Sequence, residues 1–496
     1  MNNNRTLLFA SFMTLIAAGA GFAIRATILG DWQSQFGFTK ADLGTITGGG
    51  LTGFGIVILL GSLFADKVGY KKILLLAFGL HILSAVVTLA ATPIFKFFGE
   101  ASGKDAAYWC LFVGMFMFAV ANGLCEAIIN PLVATLYPDQ KTHYLNILHA
   151  GWPGGLIVGG ILGYLVCGSN AAWFHMSWEI PMMFFLVPTV IYGRIVFKES
   201  FPHSETSAAG VKFSTMLKEF AAPVFLLLLL LHAMVGYVEL GTDSWITNIM
   251  NNVIEGKAVL LFIYTSAIMF VLRFFAGPIV KKINPIGLLL ISSLLAAAGL
   301  YSLGVAEAGI AIIIAATTYG LGKTFFWPTM LGVVGERFPK GGALTMGAVG
   351  GIGMLSAGLL GGPGIGYKQD YYASQHLEQN APETYKRYVS ESKNAFLIFP
   401  EISGLDGQKV GNLDDKVAAG EQLSSVEQQD KGPVKAASIY GGRMALKWTA
   451  VVPLVMAVGY FILVLYFRAK GGYSQEVLHG APPDGEHDTG SGEGTG

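Results

Sequence analysis

Six ionisable residues fall inside stretches that are otherwise apolar: Arg25, Glu126, Glu239, Asp243, Arg273 and Lys323. A charge deep in a lipid-spanning segment costs at least a few kcal/mol, so such residues face a cavity or a partner. Two of the six occupy matched frames. "GLCEAIINP" runs from Gly123 to Pro131 and "GLGKTFFWP" from Gly320 to Pro328, an offset of 197 residues that sets Glu126 against Lys323. A titratable acid and a hydrogen-bonding cation at corresponding points suit coupled binding of a proton and a small molecule. Arg25 is the natural cation for Glu126 in the same half, and protonating Glu126 would release it. Lys323 can hold ligand hydroxyls, or pair with Asp243 or Glu239, or meet Glu126 across a cavity. Arg273, near a segment end in "VLRFFAGPIVKK", reads as a structural or gating residue.

Polar and aromatic residues gather beside these charges: Asn122, Asn130, His149, Trp152, Tyr237, Trp245 and Trp327. Rings stack on apolar ligand faces while amides and charges take hydroxyls, a mixture common in pockets; any single Trp or Tyr can equally anchor at a membrane interface. Pro131, Pro153 and Pro328 each remove a backbone donor, which predicts breaks or kinks at those points.

Membrane helices must position these residues. The 496-residue chain is 53% hydrophobic and only 13% charged, with a mean hydropathy of +0.55, whereas a soluble domain carries about 25% charged residues. Apolar runs of bilayer-crossing length predict twelve spans at 7–29, 43–65, 73–95, 107–136, 146–168, 178–197, 220–248, 257–280, 286–305, 309–333, 342–366 and 447–468. The first run lacks a cleavage site and is read as a retained span. Fifteen Lys and Arg residues, among them Arg5, Lys67, Lys71, Lys72 and Arg337, fall on the face of both termini. Only Lys40, Lys96, Lys104 and Lys257 fall in short loops of the other. The positive-inside rule therefore predicts a multi-pass protein of the cell inner membrane with both termini cytoplasmic.

The predicted organisation is an N-terminal six-helix bundle (1–200), a cytoplasmic linker (201–219) and a C-terminal six-helix bundle (220–470). An extracytoplasmic insert at 367–446 separates spans eleven and twelve, and 471–496 reads as a disordered cytoplasmic tail. The insert has enough Tyr, Phe, Leu and Val for a small cap, while its later part, "AAGEQLSSVEQQDKGP", reads as linker. Glycines repeat between the halves: Gly155, Gly160 and Gly163 superpose on Gly353, Gly358 and Gly361 at an offset of 198. Such two-fold similarity points to two pseudo-symmetric bundles that rock about a central site.

"GSLFADKVGYKK", with Gly61, Asp66, Lys67, Gly69, Lys71 and Lys72, resembles the loop signature of the major facilitator superfamily. The resemblance implies an all-α membrane fold of twelve helices in two bundles, and a gating role for Asp66, Lys67 and Lys71 at helix ends. Within that superfamily, Glu126, Asn130, Pro131, Leu145 and Asn146 resemble the fucose and glucose/galactose proton-symporter branch. This implies that Glu126 is a substrate-linked proton site. Arg25 stands where that branch has an acid or amide, and the insert lies outside the resemblance.

Zero net charge gives no sign of a nucleic-acid partner. Cys110, Cys125 and Cys167 have no metal-ligand or disulfide spacing. No HExxH, GxSxG or P-loop is present, so the chain is expected to be neither an enzyme nor ATP-driven, with no cofactor or metal. The reading is a monomeric secondary transporter in the lipid bilayer, carrying a neutral sugar with protons (sodium being possible). The alternatives are a carrier of an organic anion such as a sugar acid, clamped by Arg25, Lys323 or Arg273, and a non-transporting nutrient sensor on the same scaffold.

Overall fold

A computed structural model describes residues 3–38, 40–167, 171–251, 253–254, 258–307 and 309–478. Among the described residues, eleven helices are long and apolar enough to cross a bilayer, and the apolar helix Ala258–Arg273 is shorter. The short one is the first part of the expected eighth span. The chain breaks at Phe274 and Phe275, resumes as a helix at Ala276, and turns at Asn284 (φ 54°) before Pro285 opens the ninth span. Lys257, counted above among the loop cations, lies outside the described residues.

The helices form two bundles. In the first, span one (Asn3–Thr27) packs against the fifth (Pro138–Val166), and the fourth (Ser102–Leu136) against the second (Thr45–Val68) and third (Tyr70–Gly99). In the second, the ninth span packs against the tenth (Ile310–Arg337) and twelfth (Ser425–Ala469), and the seventh (Pro223–Asn251) against the eleventh (Pro339–Asn380). Across the interface the second span meets the eleventh and the fifth meets the eighth. Glycines make these approaches possible: a Cβ on Gly19 would stand 2.4 Å from the Trp152 carbonyl oxygen.

Asn4 Nδ2 donates to Leu136 O, and Gln475 Nε2 to Pro138 O, so Asn4 and Gln475 lie on one face, called the termini face below. The segment read as a disordered tail therefore begins as ordered chain. Arg337 Nη1 donates to Ser474 O, Tyr473 OH to Glu336 Oε2 at 2.6 Å, and Glu476 N to Glu336 O. Residues 479–496 of that tail lie outside the described residues.

The insert, on the opposite face, is built largely from its neighbours. The helix of the eleventh span continues beyond the membrane to Asn380, and that of the twelfth begins outside it at Ser425, 42 and 45 residues being far more than the about 20 a bilayer takes. Between them lie a helix, Pro382–Tyr388, an antiparallel hairpin (Val389–Asn394 with Ile402–Leu405) and a helix, Gly407–Ala418. Leu377, Tyr388, Leu413, Val434 and Ala437 form a small apolar core. In the stretch read as linker, 419–424 is a short connection, and from Ser425 onward it is instead the start of a long helix. Its signal is a capping box, in which Ser424 Oγ accepts from Glu427 N and Glu427 Oε2 accepts from Ser424 N.

Two carboxyls pin this region. Lys416 Nζ donates to Glu427 at 2.6 Å, and Arg387 holds Asp430 at 2.5 Å. The Lys416 bond, with the capping bonds, lowers the Glu427 carboxyl to about 2, and Arg387 lowers that of Asp430. A carboxyl held below its unfolded value, about 4.3 for Glu, stabilises above that value and loses its effect as pH falls through the folded one. Amide protection factors over 382–437 are therefore expected to hold from pH 8 to 5 and to fall between about pH 4.5 and 2. Protection that stays flat across the lower window would remove these pairs from the account.

Candidate functional site

The proline positions explain the centre of the molecule. Pro153 and Pro328 have no N–H to give, so the carbonyls four residues back, His149 and Thr324, lose their helical partners. The fifth span is interrupted at Ala150, and the tenth splits into Ile310–Lys323 and Phe326–Arg337. Arg273 takes both orphaned carbonyls: Nη1 donates to His149 O at 2.6 Å and Nε to Thr324 O at 2.7 Å. Its Nη2 donates to Glu239 Oε1 at 3.2 Å. One guanidinium thus ties the breaks of both halves to an acid of the seventh span. Pro131 behaves differently, because the fourth helix runs through it to Leu136.

Glu126 sits on the other side of the same junction. Its Oε1 accepts from Asn130 Nδ2 and from Trp327 Nε1, each at 3.1 Å. With that amide orientation, Asn130 Oδ1 accepts from His149 Nε2 at 2.8 Å, and the His149 ring nitrogen stands 3.7 Å from Glu126. Lys323 Nζ donates to Asp243 Oδ1 at 2.5 Å. The void beside this pair is about 10 Å3, room for about one water. Glu126, Arg273 and Glu239 are therefore linked through Asn130 and His149 in one buried network where the halves meet. Lys323–Asp243 is a separate pair in the second half. The partner that reaches Glu126 from the second half is Trp327, one turn beyond Lys323.

Arg25 is the exception and corrects the expected pairing with Glu126. Its guanidinium lies over the Phe118 ring, 3.4 Å from the centroid, and 5.5 Å from that of Phe185. The residue is 3% exposed, and its Nε and Nη2 are buried without an acceptor. Asn122 is also apart from Glu126; its Oδ1 faces His81 Nε2 at 3.0 Å, and His81 Nδ1 meets Tyr192 OH at 2.8 Å. Trp152 packs on Phe22 at 5.7 Å. Trp245 Nε1 donates to Gly362 O. Tyr237 accepts from Lys368 and opens a π-helical turn, Tyr237–Gly241, that faces a second one, Ala357–Gly361. A Cβ on Gly361 would stand 2.9 Å from the Gly241 Cα. Wide turns of this kind are rare and concentrate at functional sites.

On the termini face, Asp66 Oδ2 accepts from Thr206 Oγ1 at 2.8 Å, and Lys71 Nζ donates to the carbonyls of Phe197 and Glu199 at a helix end. Lys67 is exposed. The bonds that cross between halves there come from Thr142 and Glu336, which the sequence reading passed over, and from Asn146, read above only as part of the branch resemblance. Thr142 donates through N and Oγ1 to Glu336 Oε1, at 3.1 and 2.6 Å, and Asn146 Nδ2 to Thr329 Oγ1. Lys141 pairs with Glu205 of the linker at 2.7 Å. Glu336 is a buried acid in the last turn of an apolar run, the one signal that marks it in the sequence. His232, whose ring lies 4.6 Å from that of Trp327, carries the same mark, a histidine inside the apolar run "LLLLLLHAMVG".

A family model described as the Major Facilitator Superfamily matches residues 7–362. The chain belongs to that superfamily. It is a multi-pass membrane protein of a superfamily of transporters. Over 223 residues it is 23% identical to a gallate transporter of Pseudomonas putida, a match spanning 42% of this chain and 44% of that one, so it covers less than half of that relative's length. Among solved structures it is similar to FucP in the outward conformation (TM-score 0.58, 17% identity, 92% of this chain and 98% of that one), FucP being the fucose:proton symporter of E. coli. It is also similar to the human organic anion transporter TETRAN (TM-score 0.62, 12% identity, 93% and 100%). At these identities the structures share the fold.

Proposed function

We propose that this transporter carries an organic anion together with a proton, by alternating access, and that Arg25 receives the anionic end. The unpartnered guanidinium of Arg25 carries the reading. The six charges are three cations and three acids, a balance that suits a neutral cargo as long as Arg25 is paired with Glu126. With Arg273 on Glu239 and Lys323 on Asp243, Arg25 keeps buried N–H groups unmatched. A substrate carboxylate is the complement such a group lacks. The gallate transporter among the similar proteins supports the same class.

Glu126, with Asn130, His149 and Trp327 around it, is the proton site in this reading. Arg273 and Glu239 pin the two halves, and Lys323–Asp243 is a pair that opens when they separate. Asp66, Lys71 and the Thr142–Glu336 bonds close the termini face, which the Lys and Arg bias assigns to the cytoplasm. The protein acts as a monomer.

Thermal-shift and competition assays on purified protein against hexoses, sugar acids and aromatic carboxylates test the cargo class. Carboxylates are expected to stabilise and compete. Arg25→Gln is expected to weaken their binding about 10- to 150-fold, the equivalent of about 1.5–3 kcal/mol for hydrogen bonds to a charged group. Competition by neutral hexoses with none from carboxylates, or unchanged carboxylate affinity in Arg25→Gln, would overturn the anion reading in favour of a sugar.

A further inference from the structure

The hairpin of the insert closes on a turn built from unexpected residues. Phe399 N donates to Phe396 O at 3.0 Å, and the second residue of this four-residue turn, Leu397, has φ 50°. A positive φ there ordinarily belongs to Gly, Asn or Asp, and a leucine holds it under strain. The strained turn presents apolar side chains outward: Leu397 is 71% exposed, Ile398 95% and Phe399 50%. Adjacent large apolar residues at a tip surrounded by water are a liability unless something covers them.

The height of the turn says what does. A Cβ on Gly364 would stand 2.8 Å from the Phe396 ring, so the turn rests against the eleventh span at that glycine. The helical run from Gly342 to Gly364 rises about 33 Å at 1.5 Å per residue, against a hydrocarbon core of about 30 Å. Phe396 therefore stands at the edge of the core on the insert face. Tyr367, buried under the turn, is at the same level, its OH donating to Pro400 O at 2.7 Å and its ring 5.9 Å from Phe399. Leu359, exposed on the same helix, lies about 8 Å deeper in the lipid-facing belt. Asn394 Nδ2 also donates to Asp370 Oδ2, and Ser374 Oγ to the Ser403 carbonyl, both bonds tying the hairpin to this helix.

We infer that Leu397, Ile398 and Phe399 enter the lipid leaflet on the insert face and moor the insert to the membrane surface. The moored hairpin holds the outward extension of the eleventh span in place. A lid over the substrate path would instead be covered by protein and respond to substrate.

Full-length protein carrying Cys110→Ser and Ile398→Cys, labelled with a small fluorophore, tests this in phosphatidylcholine vesicles; Cys125 and Cys167 are buried. Lipids with a doxyl group high on the acyl chain are expected to quench this probe at least twofold more than one at Glu421→Cys, and aqueous iodide at least twofold less. Equal quenching at the two sites overturns the inference, as does a probe shielded from both quenchers until substrate is added. Leu397→Asn with Ile398→Gly suits the turn better, so the fold is retained. In that variant a probe at Phe399→Cys is expected to lose the doxyl quenching shown by the same probe on the native turn. Retained quenching would also overturn the inference.

Discussion

Replacing Arg273 with Met is expected to abolish transport and to lower thermal stability more than any other single change considered. The substitution strands Glu239, whose Oε2 already lacks a partner, as a buried charge. Breaking a buried pair from one side costs about 3–5 kcal/mol. It also unseats the His149 and Thr324 carbonyls, which the prolines leave with no helical alternative. Adding Glu239→Gln should recover part of the stability by removing the stranded charge, and none of the transport, because both breaks remain unpinned. Detergent-solubilised melting curves and counterflow in proteoliposomes read the two effects separately. Wild-type melting and flux in Arg273→Met would show that the guanidinium is incidental.

Glu126→Gln is expected to separate uptake from exchange. Gln keeps an oxygen for Trp327 Nε1 and Asn130 Nδ2, so the junction of the halves survives, but it cannot take up or release a proton. With one proton per substrate, a gradient of one pH unit supports about tenfold accumulation, since a decade is about 1.4 kcal/mol. The variant should reach no accumulation while still exchanging internal for external substrate. The measurement is radiolabelled uptake with and without an imposed pH gradient, beside exchange at symmetric pH. Undiminished accumulation in Glu126→Gln would move the proton site elsewhere, with His149 the neighbouring candidate.

The bilayer made much of this architecture legible. Lipid forces long apolar helices, so the spans and the repeat could be read from the sequence, and so could the six charges, because each violates its surroundings. Side-chain direction was not legible. Arg25 and Glu126 lie in the same half, but Arg25 turns onto Phe118 and Phe185, a choice set by helix rotation that apolar runs do not encode. The role of Arg273 was concealed for a different reason. It depends on two prolines in other spans, Pro153 and Pro328, whose freed carbonyls converge only in three dimensions. Pro131 carries the same sequence signal and produces no break. In the insert, "SSVE" held a capping box inside a polar stretch, and polarity alone was read as linker.

The strap formed by residues 473–476 has a practical consequence. Gln475 holds Pro138 of the first half while Tyr473 and Ser474 hold Glu336 and Arg337 of the second, so opening this face must tear one end of the strap loose. The strap is thereby a built-in reporter of the transport cycle. A fluorophore placed just beyond Glu476 would read each opening, and a purification tag fused immediately after Lys470 would alter the very equilibrium it was added to help measure.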